Sequence, residues 1–246
     1  DNLCSDRDMI GMSRQGAFAQ YMTIPNQCLV HAPNSMNSNH VAMTEPAATV
    51  VHAVNLAKES SFKPINECNV LVIGAGAIGL LAALLLKSEG VKMTVLETNE
   101  ARHQCVKEHV GVSPVNPINQ SVSEDSYDVV IDCVGSEKTN ALSIASVRAG
   151  GTVVNVGLLS WSSSIDIRKI TLQEIKNAQG RYIDHLASFI PKRFRAASIT
   201  ITCMPKHRPK YGMFRSLTYC AALIIPSTPL YPKPPGTITP CIPSRC

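Results

Sequence analysis

Between residues 69 and 157, short apolar runs alternate with longer stretches of good helix formers. Residues 70–73, Val-Leu-Val-Ile, are too few for a helix and rich in β-branched side chains. That is the pattern of a parallel strand buried on both faces. A glycine-rich turn follows, then a helix over 80–87 and a second strand over 92–96 that ends on Glu97. The alternation continues with a helix over 100–109, a short extended piece near 113–116 and a buried strand over 127–133. A helix over 137–148, stopped by Gly150-Gly151, leads to a strand over 152–157, and residues 170–175 read as the start of another. Strands and helices at this spacing predict an α/β protein with a doubly wound parallel sheet.

The first 45 residues have a different rhythm. Residues 17–24 alternate faces after Gly16 and stop at Pro25, which reads as a strand; residues 28–31 read as a shorter one closed by Pro33. Polar residues 34–39 form a loop. A helix then begins near Glu45-Pro46, with proline in a tolerated first-turn position, and runs to about Lys58.

Composition changes the picture in one place. Residues 1–179 carry 13 Lys/Arg against 17 Asp/Glu, whereas residues 180–246 carry 10 against one acid, Asp184, together with 10 of the 16 prolines. A break of that size marks a boundary. Three domains are therefore expected: 1–45, 46–179 and a basic, proline-rich tail over 180–246 with little packed structure. No run approaches the roughly 18 apolar residues of a membrane span. The start at Asp1, with neither an initiator Met nor a signal peptide, reads as a fragment whose true beginning lies upstream. Nine cysteines without a CxxC suit a reducing cytoplasm better than a disulfide framework.

The chemistry concentrates in Gly74-Ala75-Gly76-Ala77-Ile78-Gly79, which lies between a strand and a helix. Gly74 allows the tight turn, Gly76 lets a pyrophosphate approach the backbone, and Gly79 permits close helix packing. The helix start offers free N–H groups and a positive dipole end to the phosphates. Glu97, 18 residues beyond Gly79, is placed to accept hydrogen bonds from ribose hydroxyls and to repel a 2′-phosphate, which favours NAD over NADP. This is the dinucleotide-binding fingerprint of a Rossmann sheet.

With those motifs in place, residues 1 to about 175 resemble the medium-chain dehydrogenase/reductase family, in its zinc-dependent alcohol and polyol branch, similar to sorbitol or galactitol-phosphate dehydrogenases. The matching pieces are Asn2-Leu3-Cys4, Gly16-Ala17-Phe18-Ala19-Gln20-Tyr21, Glu45-Pro46-Ala47-Ala48-Thr49 with His52-Ala53, and the glycine turn. Asp132-Cys133-Val134-Gly135, Gly150-Gly151 with Val156-Gly157, and Thr171-Leu172-Gln173-Glu174-Ile175 follow in the family's order. The resemblance implies that 1–45 is the end of a GroES-like β-rich catalytic domain and 46–179 an NAD-binding Rossmann domain with its leading helix. It implies that Glu45 is a late ligand of a catalytic zinc, and that Thr49 contacts the nicotinamide. It further implies that Cys133, Val134, Val156 and Gly157 line the cofactor, that Arg102 helps at the adenosine end, and that Cys4 is the remnant of a structural zinc site.

Plainer readings stand beside these. Glu45 is also a helix-start acid favoured by the dipole. Cys28, Cys68 and Cys105 read as buried small apolar residues, and His52 as a packing residue. His31, His40, His103 and His109 lack ligand spacing. The family's other zinc ligands would lie upstream of residue 1, and its last strand is not found after about Gln179; the tail reads as a frame change, an unspliced intron or a fusion. The leading function is a zinc-type, NAD-dependent oxidoreductase moving hydride between a secondary alcohol or polyol and NAD. The alternative is a non-catalytic NAD-binding module. A small-molecule substrate and a homo-oligomer are the expected partners. A nucleic-acid arm in the tail, readable from its charge, is not favoured because the tail carries no recognisable fold.

Overall fold

The computed structural model describes residues 10–179 and 224–225. The chain divides into two units, Asp1–Glu45 with Ile183–Cys246, and Pro46–Tyr182. In the first unit, a short 3-10 turn at Asn26–Cys28 leads to β1 (Val30–His31), which pairs in parallel with Ile224–Ile225. Helix α1 (Ser38–Ala42) follows, its start capped by the Asn37 side chain accepting from the Asn39 N–H at 2.8 Å. Helix α2 (Thr44–Ser60) spans the unit boundary and buries Val50, Ala53, Val54 and Ala57 along one face.

The second unit is built on five parallel strands. These are β2 (Asn69–Ile73), β3 (Lys92–Leu96), β4 (Tyr127–Asp132), β5 (Val147–Asn155) and β6 (Lys176–Gln179), in the order β3-β2-β4-β5-β6. Val115 adds an isolated parallel bridge to Leu96 beyond β3. Helices α3 (Ala77–Ser88), α4 (His103–His109), α5 (Glu137–Ser146) and α6 (Ile167–Leu172) fill the crossovers. Period-2 alternation sends Val70 and Val72 of β2 into one apolar cluster, with α2, α3 and α4, and sends Leu71 and Ile73 into the other, with α5 and α6. Both faces of the sheet are thereby covered, and every residue of β4 is buried. The α/β class and doubly wound parallel sheet are as expected. Among the described residues no helix is long and apolar enough to cross a membrane.

Several expected elements are corrected. Residues 17–24 form no strand: a strand needs a neighbour's hydrogen-bond ladder, none is present there among the described residues, and Phe18 and Tyr21 are left exposed. The strand over 28–31 shrinks to Val30–His31, and Cys28 is exposed rather than buried. Residues 38–39, expected in a loop, open α1. The helix over 137–148 ends at Ser146, because Val147 pairs with Tyr127 and is fully buried, while Arg148 reaches Asp128. Gly150-Gly151 therefore lies inside β5, not at a helix end. The register steps from Tyr127↔Val147 to Val129↔Thr152, so the extra residues bulge out. Residues 170–175 are not a strand start: Asp166 caps α6 through the Lys169 N–H, and β6 begins only at Lys176, opposite Thr152. Apart from Ile224–Ile225, the expectations for Cys4 and for 180–246 fall outside the described residues.

At the N-terminal end of the sheet a charge cluster ties the elements together. The Asp128 carboxylate accepts from the Asn69 N–H at 2.7 Å and pairs with Lys63 at 3.0 Å and Arg148 at 2.5 Å. Burial pushes its pKa up, but the Asn69 N–H and the two cations outweigh burial and hold it below the usual aspartate range.

Candidate functional site

The site lies at the C-terminal ends of β2, β3, β4 and β5, where open α/β sheets bind ligands at the point where strand order reverses. Leaving β2, Gly74 takes φ +88, and its N–H donates to the Leu96 carbonyl at 2.8 Å. A Cβ there would stand 2.5 Å from Val134 Cγ2, so glycine is required twice over. Gly76 is the N-cap of α3 and no side chain caps that helix. A Cβ on Gly76 would meet nothing within 4 Å: the space before the helix start is open. Gly79 is the opposite case, since its Cβ would fall 1.7 Å from the Gly74 carbonyl oxygen. The first turn of α3 thus presses directly on the glycine turn. Ala77 is exposed beside the opening and Ile78 packs on the core. A helix start leaves its first N–H groups without intrahelical partners, and no side chain caps this one.

Glu97 closes one side. Its carboxylate is buried, accepting from the Asn99 N–H at 2.7 Å through Oε1, and from the Ala75 N–H at 2.8 Å and Arg102 Nη1 at 3.3 Å through Oε2. Burial is the largest influence and raises its pKa, but the two backbone donors and Arg102 together pull it below the usual glutamate value. The group therefore stays ionised. It stands where the fingerprint needs it, yet it also fastens the end of β3 to the glycine turn. Each carboxylate oxygen accepts two bonds, so Oε1 keeps capacity for a hydroxyl donor. Arg102 is half free of the protein surface, and His103 Nε2 lies 2.8 Å from the Glu97 carbonyl.

The other side is made by two loops. After β4, Cys133 donates its N–H to the Ile73 carbonyl at 3.0 Å, and the chain turns through Val134 and Gly135. After β5, the Val156 and Gly157 N–H groups donate to the Asp132 carbonyl at 2.8 and 2.9 Å. The loops touch backbone to backbone: a Cβ on Gly135 would lie 2.0 Å from the Gly157 carbonyl oxygen, and one on Gly157 would lie 2.1 Å from Val134 C. Cys133 is half-buried, and burial, with the neighbouring Asp132 carboxylate, pushes its thiol well above the usual range. Sequence reasoning passed over Asp132 and Gly135 as individual residues. The available signal was an acid closing a mostly apolar strand, three residues before a glycine.

Glu45 and Thr49 sit one turn apart on α2. Thr49 is buried, whereas Glu45 is half-buried and its carboxyl is raised by that burial. His52 is half-buried on the same helix. Among the described residues no group of three His, Cys, Asp or Glu side chains could hold a metal, so Glu45 stands there without companion ligands. The described residues do not fit a zinc site.

Residues 77–189 match the family described as zinc-binding dehydrogenase. Among curated relatives, the sorbitol dehydrogenase of Halalkalibacterium halodurans is 36% identical over 187 residues, covering 71% of this chain and 52% of its own length. The L-galactonate-5-dehydrogenase of Escherichia coli is 32% identical over 170 residues, covering 64% and 47%. A Sinorhizobium meliloti protein described as a zinc-binding dehydrogenase, solved bound to NADP, superposes with a TM-score of 0.64 at 27% identity, over 72% of this chain and 54% of that one. The chain spans about half the length of the curated relatives it matches.

Proposed function

Since the chain belongs to the zinc-binding dehydrogenases of the medium-chain dehydrogenase/reductase family, we propose that it is the cofactor-holding part of an NAD-dependent oxidoreductase acting on a secondary alcohol or polyol. One observation carries the reading. The glycine turn leaves open space at Gly76, at an uncapped helix start, flanked by an ionised acid on one side and by two paired loops on the other. Relatives named for sorbitol, L-galactonate and D-altritol support a polyol, and their being dehydrogenases favours an enzyme over a non-catalytic module.

In this reading Gly74, Gly76, Ala77, Ile78 and Gly79 receive the pyrophosphate, with N–H donors and the α3 dipole matched to its charge. Glu97 accepts from the adenosine ribose, and its negative charge disfavours a 2′-phosphate. Arg102 borders that nucleoside. Cys133, Val134, Val156 and Gly157 offer backbone edges to the second nucleoside, and Thr49 lies on the helix the resemblance assigns to it. When bound, NAD supplies the hydride acceptor; the residues here seat and orient it. The described residues do not assemble the ligands of a zinc ion. A cytoplasmic setting, consistent with Cys68, Cys105 and Cys133 as thiols, and a homo-oligomer belong to the same proposal.

Calorimetric titration of the full chain with NADH and NADPH tests it. NADH is expected to bind, with NADPH weaker by tenfold or more and gaining on the Glu97→Ala variant. Binding of neither cofactor would overturn the proposal.

A further inference from the structure

Asp132 is fully buried at the end of β4, in a strand whose other side chains are mostly apolar. A valine would fill that volume without the cost of desolvating a carboxylate, so the acid must hold something that only an acceptor can hold. Its carboxylate holds two backbone N–H groups of the loop after β4, a loop that touches the one after β5 backbone to backbone. Its Oδ1 accepts from the Val134 N–H at 2.8 Å and the Gly135 N–H at 3.0 Å. Its own carbonyl accepts from Val156 and Gly157. Oδ2 is buried and makes no hydrogen bond of good geometry, and the Thr139 side chain is the other group that favours the carboxylate.

The strand order says which part of a ligand those loops serve. β3 and β4 lie on opposite sides of β2. A dinucleotide whose pyrophosphate sits at the glycine turn after β2 places one nucleoside toward Glu97, after β3, and the other toward the loops after β4 and β5. Resting on the cofactor reading above, we propose that Asp132 is a positioning residue for the nicotinamide half of the cofactor: it holds the 133–135 and 156–157 loops in one arrangement without touching the ligand. The adenosine half depends on Glu97 and the glycine turn, to which Asp132 makes no hydrogen bond and which the 133–135 loop meets only through Val134 and Cys133.

That division gives a readout a purely structural role would not produce. Full-chain wild type, Asp132→Ala and Asp132→Asn are titrated with NADH and with ADP-ribose, which lacks the nicotinamide, and their thermal melting is recorded. Asp132→Ala leaves two N–H groups without an acceptor, and its Kd for NADH is expected to rise at least tenfold while that for ADP-ribose stays within threefold. Asp132→Asn keeps the Oδ1 acceptor, and NADH affinity is expected to return to within threefold of wild type. If Asp132→Ala does not melt cooperatively, Asp132→Ser, with a shorter acceptor, is expected to show the same ligand-selective loss. Equal weakening of both ligands, or unchanged NADH binding, would overturn the role of Asp132 alone. A wild type that binds neither ligand would overturn the cofactor reading and this inference with it.

Discussion

Gly76 stands at the N-cap of α3 with φ −70 and ψ −169, backbone angles open to any L-residue, and its missing Cβ points into space empty of protein for 4 Å. Replacing it with valine should therefore leave the fold nearly intact. The loss is the difference between glycine and an apolar residue at an N-cap, at most about 1 kcal/mol. In a domain of this size that lowers Tm by about 2–4 °C. For a pyrophosphate the same side chain occupies the approach to the α3 N–H groups. Holding the phosphates even one ångström away from those donors should weaken NADH binding by a hundredfold or more, about 2.7 kcal/mol. The assay pairs thermal melting with NADH titration on Gly76→Val, with Gly79→Val as the contrast. At Gly79 a Cβ would fall 1.7 Å from the Gly74 carbonyl oxygen, so that variant should lose the fold and the binding together. Wild-type NADH affinity in a folded Gly76→Val would refute the site, and a Tm loss above about 10 °C would refute the packing argument.

Two further predictions test the scaffold. Gly135→Ala drives a Cβ into the Gly157 carbonyl at a φ of +69, and it should destabilise by at least about 3 kcal/mol, read as a fall in the urea midpoint; a midpoint near wild type would show that the two loops are not in backbone contact. Asp128→Asn strands Lys63 and Arg148 and should cost about 2–3 kcal/mol at pH 7. Because the folded pKa of Asp128 is depressed, its stabilisation is fully present above the ordinary aspartate pKa and is lost as pH falls through the lower folded value. The gap between wild type and variant in urea unfolding should therefore narrow as pH falls below about 4, and a gap that does not narrow on acidification would contradict the ion-pair account.

The alternation of apolar runs and helix formers was enough to place β2, β3 and β4 and the glycine turn, because a strand buried on both faces and a close backbone approach leave few residue choices. Lys92–Leu96 and Tyr127–Asp132 appear where the pattern put them, the latter one residue shorter. Where local pattern and tertiary contact disagreed, contact won. Residues 147–148 carry on a helical pattern, yet the buried pairing of Val147 with Tyr127 and the reach of Arg148 to Asp128 draw them into β5. Residues 17–24 alternate like a strand, but a strand exists only through a neighbour's ladder, which no local pattern can provide. The site divides in the same way. Gly74, Gly76, Gly79 and Glu97 are legible because each answers a steric or charge demand that acts within a few residues of itself. That Glu97 also fastens the glycine turn, that Gly135 and Gly157 touch, and that Asp132 gathers amides from two loops are facts about which strands lie side by side. Sheet order decides them, and it is set by the burial of both faces of the sheet at once.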